Sequence, residues 1–191
     1  IESSAISEAT LAQFKGQLAD KLGLIDEAYW AYGDMNRAMA QSPLGLSVDR
    51  SAYQRAMDVI RQQTSTEWFA GWPKIDVPKH PPSPVFLVGF PRSGTTLLDT
   101  ILMGHSDTHV LEEIPLIETV ANAVGDLTRV GDLNADEIAA MRALYFEELA
   151  KASPAPPGKL VIDKNPLSMV RMPLIHRLFP DAKIILAMRH P

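Results

Sequence analysis

Apolar residues return at spacings of three and four through the first third of the chain. Beyond a run of prolines they gather instead into short unbroken clusters. Leu11, Phe14, Leu18, Leu22 and Ile25 fall on one face of a helix. Gly23 interrupts that pattern, and Asp26 to Gln41 resumes it with Ala28, Tyr32, Met35 and Met39. A third segment, Asp49 to Trp68, carries Tyr53, Ala56, Val59 and Ile60 in the same rhythm. Three amphipathic helices packed together are the expectation for residues 1–72.

Prolines at 73, 78, 81, 82 and 84 exclude helix or central strand from residues 73–84, which read as a stiff linker and a domain boundary. After it comes Val85-Phe86-Leu87-Val88, a continuous apolar run ending at a glycine, as in a buried parallel strand. Similar runs stand at 160–162 and 184–188, with a weaker one at 108–111. Helical segments separate them. One runs from Thr95 to Met103 and is expected to bury Leu97, Leu98, Ile101 and Leu102. A second, Asn134 to Lys151, opens on Asn134 and Glu137 in the spacing of a capping box. A third starts at Asn165-Pro166, with a break expected at Pro173. Strands alternating with helices predict an α/β fold: a P-loop-like parallel sheet flanked by helices over residues 85–191, preceded by an α-helical, repeat-like segment.

The 191 residues are 46% hydrophobic and 21% charged, a globular composition with ample core material. A net charge of -5 argues against nonspecific nucleic-acid binding while leaving room for a local basic pocket. The absence of cysteine removes disulfides, thiolate metal sites and cysteine nucleophiles, and fits a reducing, cytoplasmic compartment. No apolar run approaches the roughly 18 residues of a membrane span. The chain starts at Ile1 and stops at Pro191 just after a strand signal, so it reads as a fragment at both ends.

The informative segment is Gly89-Phe90-Pro91-Arg92-Ser93-Gly94-Thr95-Thr96. It follows a buried strand and opens a helix, where backbone N–H groups and the helix dipole face an anion. Gly89 and Gly94 permit the turn and the approach of main chain to ligand, and Ser93, Thr95 and Thr96 add hydroxyl donors. The glycine spacing is that of the ATP and GTP loop, but Thr95 stands at the lysine position, a serious defect for phosphoryl transfer. The loop's cation is Arg92. A guanidinium beside a preformed cradle suits a phosphosulfate, which carries less charge than a triphosphate and needs no metal.

Pro91-Arg92-Ser93-Gly94-Thr95-Thr96-Leu97 resembles the 5′-phosphosulfate loop of sulfotransferases, particularly the tyrosylprotein sulfotransferases and the bacterial tetratricopeptide-repeat sulfotransferases. Glu112-Glu113, Asp163-Lys164-Asn165-Pro166 and the stretch from Phe179 to Arg189 follow in that family's order. The resemblance covers residues 84–191. Gly16, Gly23, Ala28 and Tyr32 sit where a tetratricopeptide repeat places small and aromatic residues, although Lys15 departs from that pattern.

The resemblance implies sulfuryl transfer from 3′-phosphoadenosine-5′-phosphosulfate (PAPS) to an acceptor hydroxyl, without a metal. Glu113 then falls at the catalytic base, with Glu112 in its place if the register slips by one. His105 and His109 stand as structural histidines beside it. Lys164 falls where charge on the leaving group is stabilised, and Arg189 where the 3′-phosphate is bound. The family's serine partner to that arginine lies past Pro191. The acceptor is open among peptide tyrosine, carbohydrate, lipid and small-molecule hydroxyls, and the helical segment implies a peptide or protein contact. Two other readings stay open: a metal-dependent P-loop kinase or NTPase, and a non-catalytic repeat module with a degenerate nucleotide domain. Neither nucleic acid nor a membrane segment enters any of them.

Overall fold

A computed structural model describes residues 7–49 and 51–190. The chain divides into two compact units, Ile1–Arg55 and Ala56–Pro191. In the first, α1 (Glu8–Lys21) packs against α2 (Ile25–Gln41), and α3 (Pro43–Ser47) follows. Ser7 caps α1 by accepting a 3.1 Å hydrogen bond from the Thr10 amide. Gly23 makes the turn into α2 at φ 73°, a conformation that glycine alone adopts freely. The contact surface consists of small residues: Ala12, Gly16, Ala19 and Ala28 are buried. A Cβ on Gly16 would lie 2.7 Å from the Tyr32 ring, so the absence of a side chain there is what admits the tyrosine. The expected apolar face does not form this contact, since Leu11, Phe14, Leu18, Leu22 and Ile25 are all exposed. Close approach of two helices selects small side chains, and periodicity alone does not register that.

The second unit opens with α4 (Ala52–Gln63), which begins just before the division, and α5 (Thr66–Ala70), where one longer helix was expected. Ser65 starts α5 by accepting from the Trp68 amide at 3.1 Å. The side chains of Tyr53 and Ala56 lie outside the described residues. The proline-rich stretch runs along the α/β part: the buried guanidinium of Arg177 donates to the Pro73 carbonyl at 2.8 Å, and that of Arg142 to the Pro81 carbonyl at 2.9 Å.

Four strands form one parallel sheet in the order β2-β3-β1-β4. They are β1 (Val85–Gly89), β2 (Thr108–Glu112), β3 (Leu160–Lys164) and β4 (Ile184–Ala187). Side chains alternate across the sheet. Phe86, Val88 and Leu111 face a core built with α7 (Leu116–Val124), α8 (Ala135–Ala152) and α9 (Met172–Leu178). Val85, Leu87 and Ile162 face a smaller cluster that includes Leu98 and Leu102 of α6 (Thr95–Met103). Helices thus cover both faces, as expected. Asn134 and Glu137 form the expected capping box at the start of α8. In α6 the buried face differs from the expected one: Leu97 is 70% and Ile101 63% exposed, while Asp99 is 1% exposed. No described helix is long and apolar enough to cross a membrane.

Candidate active site at the strand ends

Each parallel strand delivers one part of the site just past its C-terminal end, where open α/β sheets bind ligands. β1 runs into the glycine loop. A Cβ on Gly89 would stand 2.6 Å from the Ala187 carbonyl oxygen of β4 and 2.9 Å from Ser93 Oγ, so the turn closes only without one. Gly94 sits at φ 93° and starts α6 with no side-chain cap, leaving the first amides of that helix to whatever lies in front of them. Arg92 also has a positive φ, 72°, an uncommon conformation for a residue with a side chain. Ser93 Oγ is buried without a hydrogen-bond partner among the described residues.

β2 ends at Glu112, and Glu113 turns out of the sheet at φ 53° while its amide donates to the Lys164 carbonyl at 2.8 Å. β3 ends at Lys164, whose side chain is wholly buried. Its ammonium lies 2.9 Å from Asp99 Oδ2, 2.9 Å from Glu113 Oε1 and 3.6 Å from Glu112 Oε1. Burial presses this ammonium toward the neutral form. Hydrogen bonds and charge from Asp99 and Glu113 outweigh it, leaving the pKa above the ordinary lysine value. The preceding residue points to the other face of the sheet: Asp163 accepts from the Tyr145 hydroxyl at 2.8 Å. Two residues past β4 comes Arg189.

These ends enclose a cavity of about 410 Å³. Pro91, Arg92, Gly94, Thr95, Thr96, Glu113 and Arg189 line it, together with Asn165, Pro166 and Leu167. Six of the seven expected binding residues therefore share one cleft with the expected base. Ser93 lies within the turn and Lys164 behind Glu113, and neither lines it. Glu112 is exposed, and it is the more distant of the two glutamates from Lys164. The histidines are engaged elsewhere. His109 Nε2 lies 3.0 Å from Ser153 Oγ, and His105 Nδ1 accepts from the Asp107 amide at 3.1 Å. Sequence reasoning missed Asp99, the buried partner of Lys164. Its one trace in the sequence is a carboxylate inside an otherwise apolar helix, four residues after Thr95.

Residues 84–191, more than half of the chain, match the Sulfotransferase family. The chain belongs to the sulfotransferase family. The part matched in this sulfotransferase-family chain begins one residue before β1 and contains every residue that lines the cavity. Among its relatives, the human protein-tyrosine sulfotransferase 1 is 31% identical over 116 residues, covering 55% of this chain and 30% of that protein. The nodulation protein NoeE of Sinorhizobium fredii is 32% identical over 124 residues, covering 56% of this chain and 28% of that protein. An uncharacterized protein of Aquifex aeolicus is 32% identical over 114 residues, 53% of this chain and 15% of that one. The match thus spans less than a third of the length of these relatives. No solved structure matches significantly.

Proposed function

We propose that this chain carries the donor-binding part of a PAPS-dependent sulfotransferase, which transfers a sulfuryl group to an acceptor hydroxyl and releases PAP. The observation that carries this reading is the single cleft that gathers Arg92, the amides at the start of α6, Glu113 and Arg189, with the Lys164 ammonium 2.9 Å from Glu113. Three features of the loop suit a phosphosulfate. The Gly89 position has no room for a side chain, Gly94 leaves the helix start uncapped, and the buried Ser93 hydroxyl has no partner among the described residues.

In this reading Arg92 and the loop amides hold the 5′-phosphosulfate, and Arg189 takes the 3′-phosphate. Glu113 is the base: it accepts the acceptor's hydroxyl proton as the acceptor oxygen bonds to sulfur. Lys164 stabilises the bridging oxygen that keeps the electron pair of the broken S–O bond. Both side chains meet at the end of the β2–β3 pair, so base and electrophilic partner share one anchor. The acceptor is a hydroxyl of a peptide tyrosine, a carbohydrate or a small molecule. The helical hairpin, with its small-residue contact at Gly16 and Tyr32, is proposed as a tetratricopeptide-like element for protein contact.

Isothermal titration of PAP into the full-length protein tests the donor site. Arg92→Ala removes a charge-assisted contact of about 1.5–3 kcal/mol, so PAP affinity is expected to fall about 10- to 100-fold. Unchanged affinity would remove the loop from nucleotide binding. Release of PAP from PAPS in the presence of tyrosyl peptides, sugars or phenols then reads the acceptor class.

A further inference from the structure

We propose that Asp99 is a positioning residue for the Lys164 ammonium, holding it charged and in place while Glu113 is occupied with the acceptor; this rests on the sulfuryl-transfer reading above. The groups facing Lys164 are Asp99 from α6 and Glu112 and Glu113 from the end of β2. Its strand neighbour Asp163 is turned away to Tyr145, and the cavity cations are Arg92 and Arg189. The three carboxylates are not equivalent. Glu112 and Glu113 are exposed, so each is able to swing toward the cleft. Asp99 is 1% exposed, and the only charged group within reach of its carboxylate among the described residues is Lys164.

That difference matters for the chemistry. A base must give up its lone pair to a proton, and Glu113 is neutral once it has done so. A buried ammonium left with no other counter-ion would lose its proton or its position. Asp99 has no such second duty. It stands one helical turn beyond Thr95, on the helix whose start faces the cavity. The same rigid element therefore carries the phosphosulfate loop and fixes the lysine. A carboxylate buried in an apolar helix is costly unless it is paired, so the ion pair also accounts for an aspartate where a leucine would pack better.

The test compares Asp99→Asn and Asp99→Glu in the full-length protein, first without any ligand. With lysines labelled at 13Cε, the Lys164 resonance in the parent protein is expected to titrate above the ordinary lysine value, and to move down in Asp99→Asn. Asp99→Glu keeps the charge and so keeps the titration. In turnover, Asp99→Asn is expected to lower kcat about 10- to 100-fold and to move the alkaline limb of its pH profile down, with KM for PAPS and PAP affinity within about threefold. Asp99→Glu displaces the ammonium by one methylene, so its kcat falls although its lysine stays charged; this variant decides the matter where Asp99→Asn does not fold.

A Lys164 that titrates alike in parent and Asp99→Asn overturns the inference, as does an Asp99→Glu protein of undiminished kcat. So does parallel loss of PAP affinity and kcat in Asp99→Asn. A shifted lysine titration with no PAP release by any protein, parent included, leaves Asp99 as the holder of Lys164 and overturns sulfuryl transfer instead.

Discussion

Asp163→Asn is expected to stabilise the protein at neutral and alkaline pH and to leave it unchanged in acid. Asp163 is 2% exposed, and its carboxylate accepts a 2.8 Å hydrogen bond from Tyr145. Burial raises its pKa from 3.8 to about 6, against the opposing pull of the Tyr145 hydroxyl. Below pH 3.8 the group is neutral in folded and unfolded chains alike, and its packing costs nothing. As pH rises from 3.8 to about 6 the unfolded chain ionises first, and the native state loses stability across that window. The shift corresponds to about 3 kcal/mol when complete, at roughly 1.4 kcal/mol per pH unit. Roughly half of it disappears between pH 5 and pH 8. An asparagine keeps an acceptor for Tyr145 and has nothing to ionise. Urea unfolding of parent and variant at pH 5 and pH 8 reads the difference: the parent loses about 1–2 kcal/mol relative to the variant between the two. Parallel pH dependences, or a variant less stable than the parent at pH 8, would refute the reasoning.

Lys164→Ala strands the buried Asp99 carboxylate and is expected to destabilise by about 3–5 kcal/mol, while Lys164→Ala with Asp99→Ala recovers much of that loss. Denaturant unfolding of both proteins checks it, and a double variant as unstable as the sum of the singles would contradict the pairing. Gly89→Ala drives a methyl into the Ala187 carbonyl 2.6 Å away, and a loss of about 1–3 kcal/mol is expected by thermal unfolding.

Strand positions were legible because a buried parallel strand writes itself as a short unbroken apolar run, and all four runs form strands of one sheet. The glycine loop was legible for a similar reason: Gly89 and Gly94 are dictated by local geometry. What could not be read was set by partners distant in the chain. In α6 a leucine-rich pattern suggests that Leu97 and Ile101 turn inward, yet the residue turned inward is Asp99, whose partner lies far along the sequence at Lys164. Hydrophobic periodicity assumes that charges face water, and a buried ion pair violates that assumption. The hairpin misled in the opposite way. There small residues make the contact and large ones remain outside, because α1 and α2 meet at Gly16 and Tyr32. The left-handed backbone at Arg92 and Glu113 has no sequence signature either, since neither residue favours it. Such strain gathers at sites where side-chain direction matters more than local comfort.

The strand order β2-β3-β1-β4 has a consequence for the donor site proposed above. The pairing of β1 with β3 brings the glycine loop beside the lysine, and β2 adds the glutamate, but Arg189 is brought in only when β4 docks on the other edge of β1. Under the proposed donor site, a nucleotide held by groups past all four of these strands binds best where β4 is docked on β1, so its binding energy selects against chains in which that pairing is frayed. Affinity at that site thereby becomes a gauge of the β1–β4 pairing.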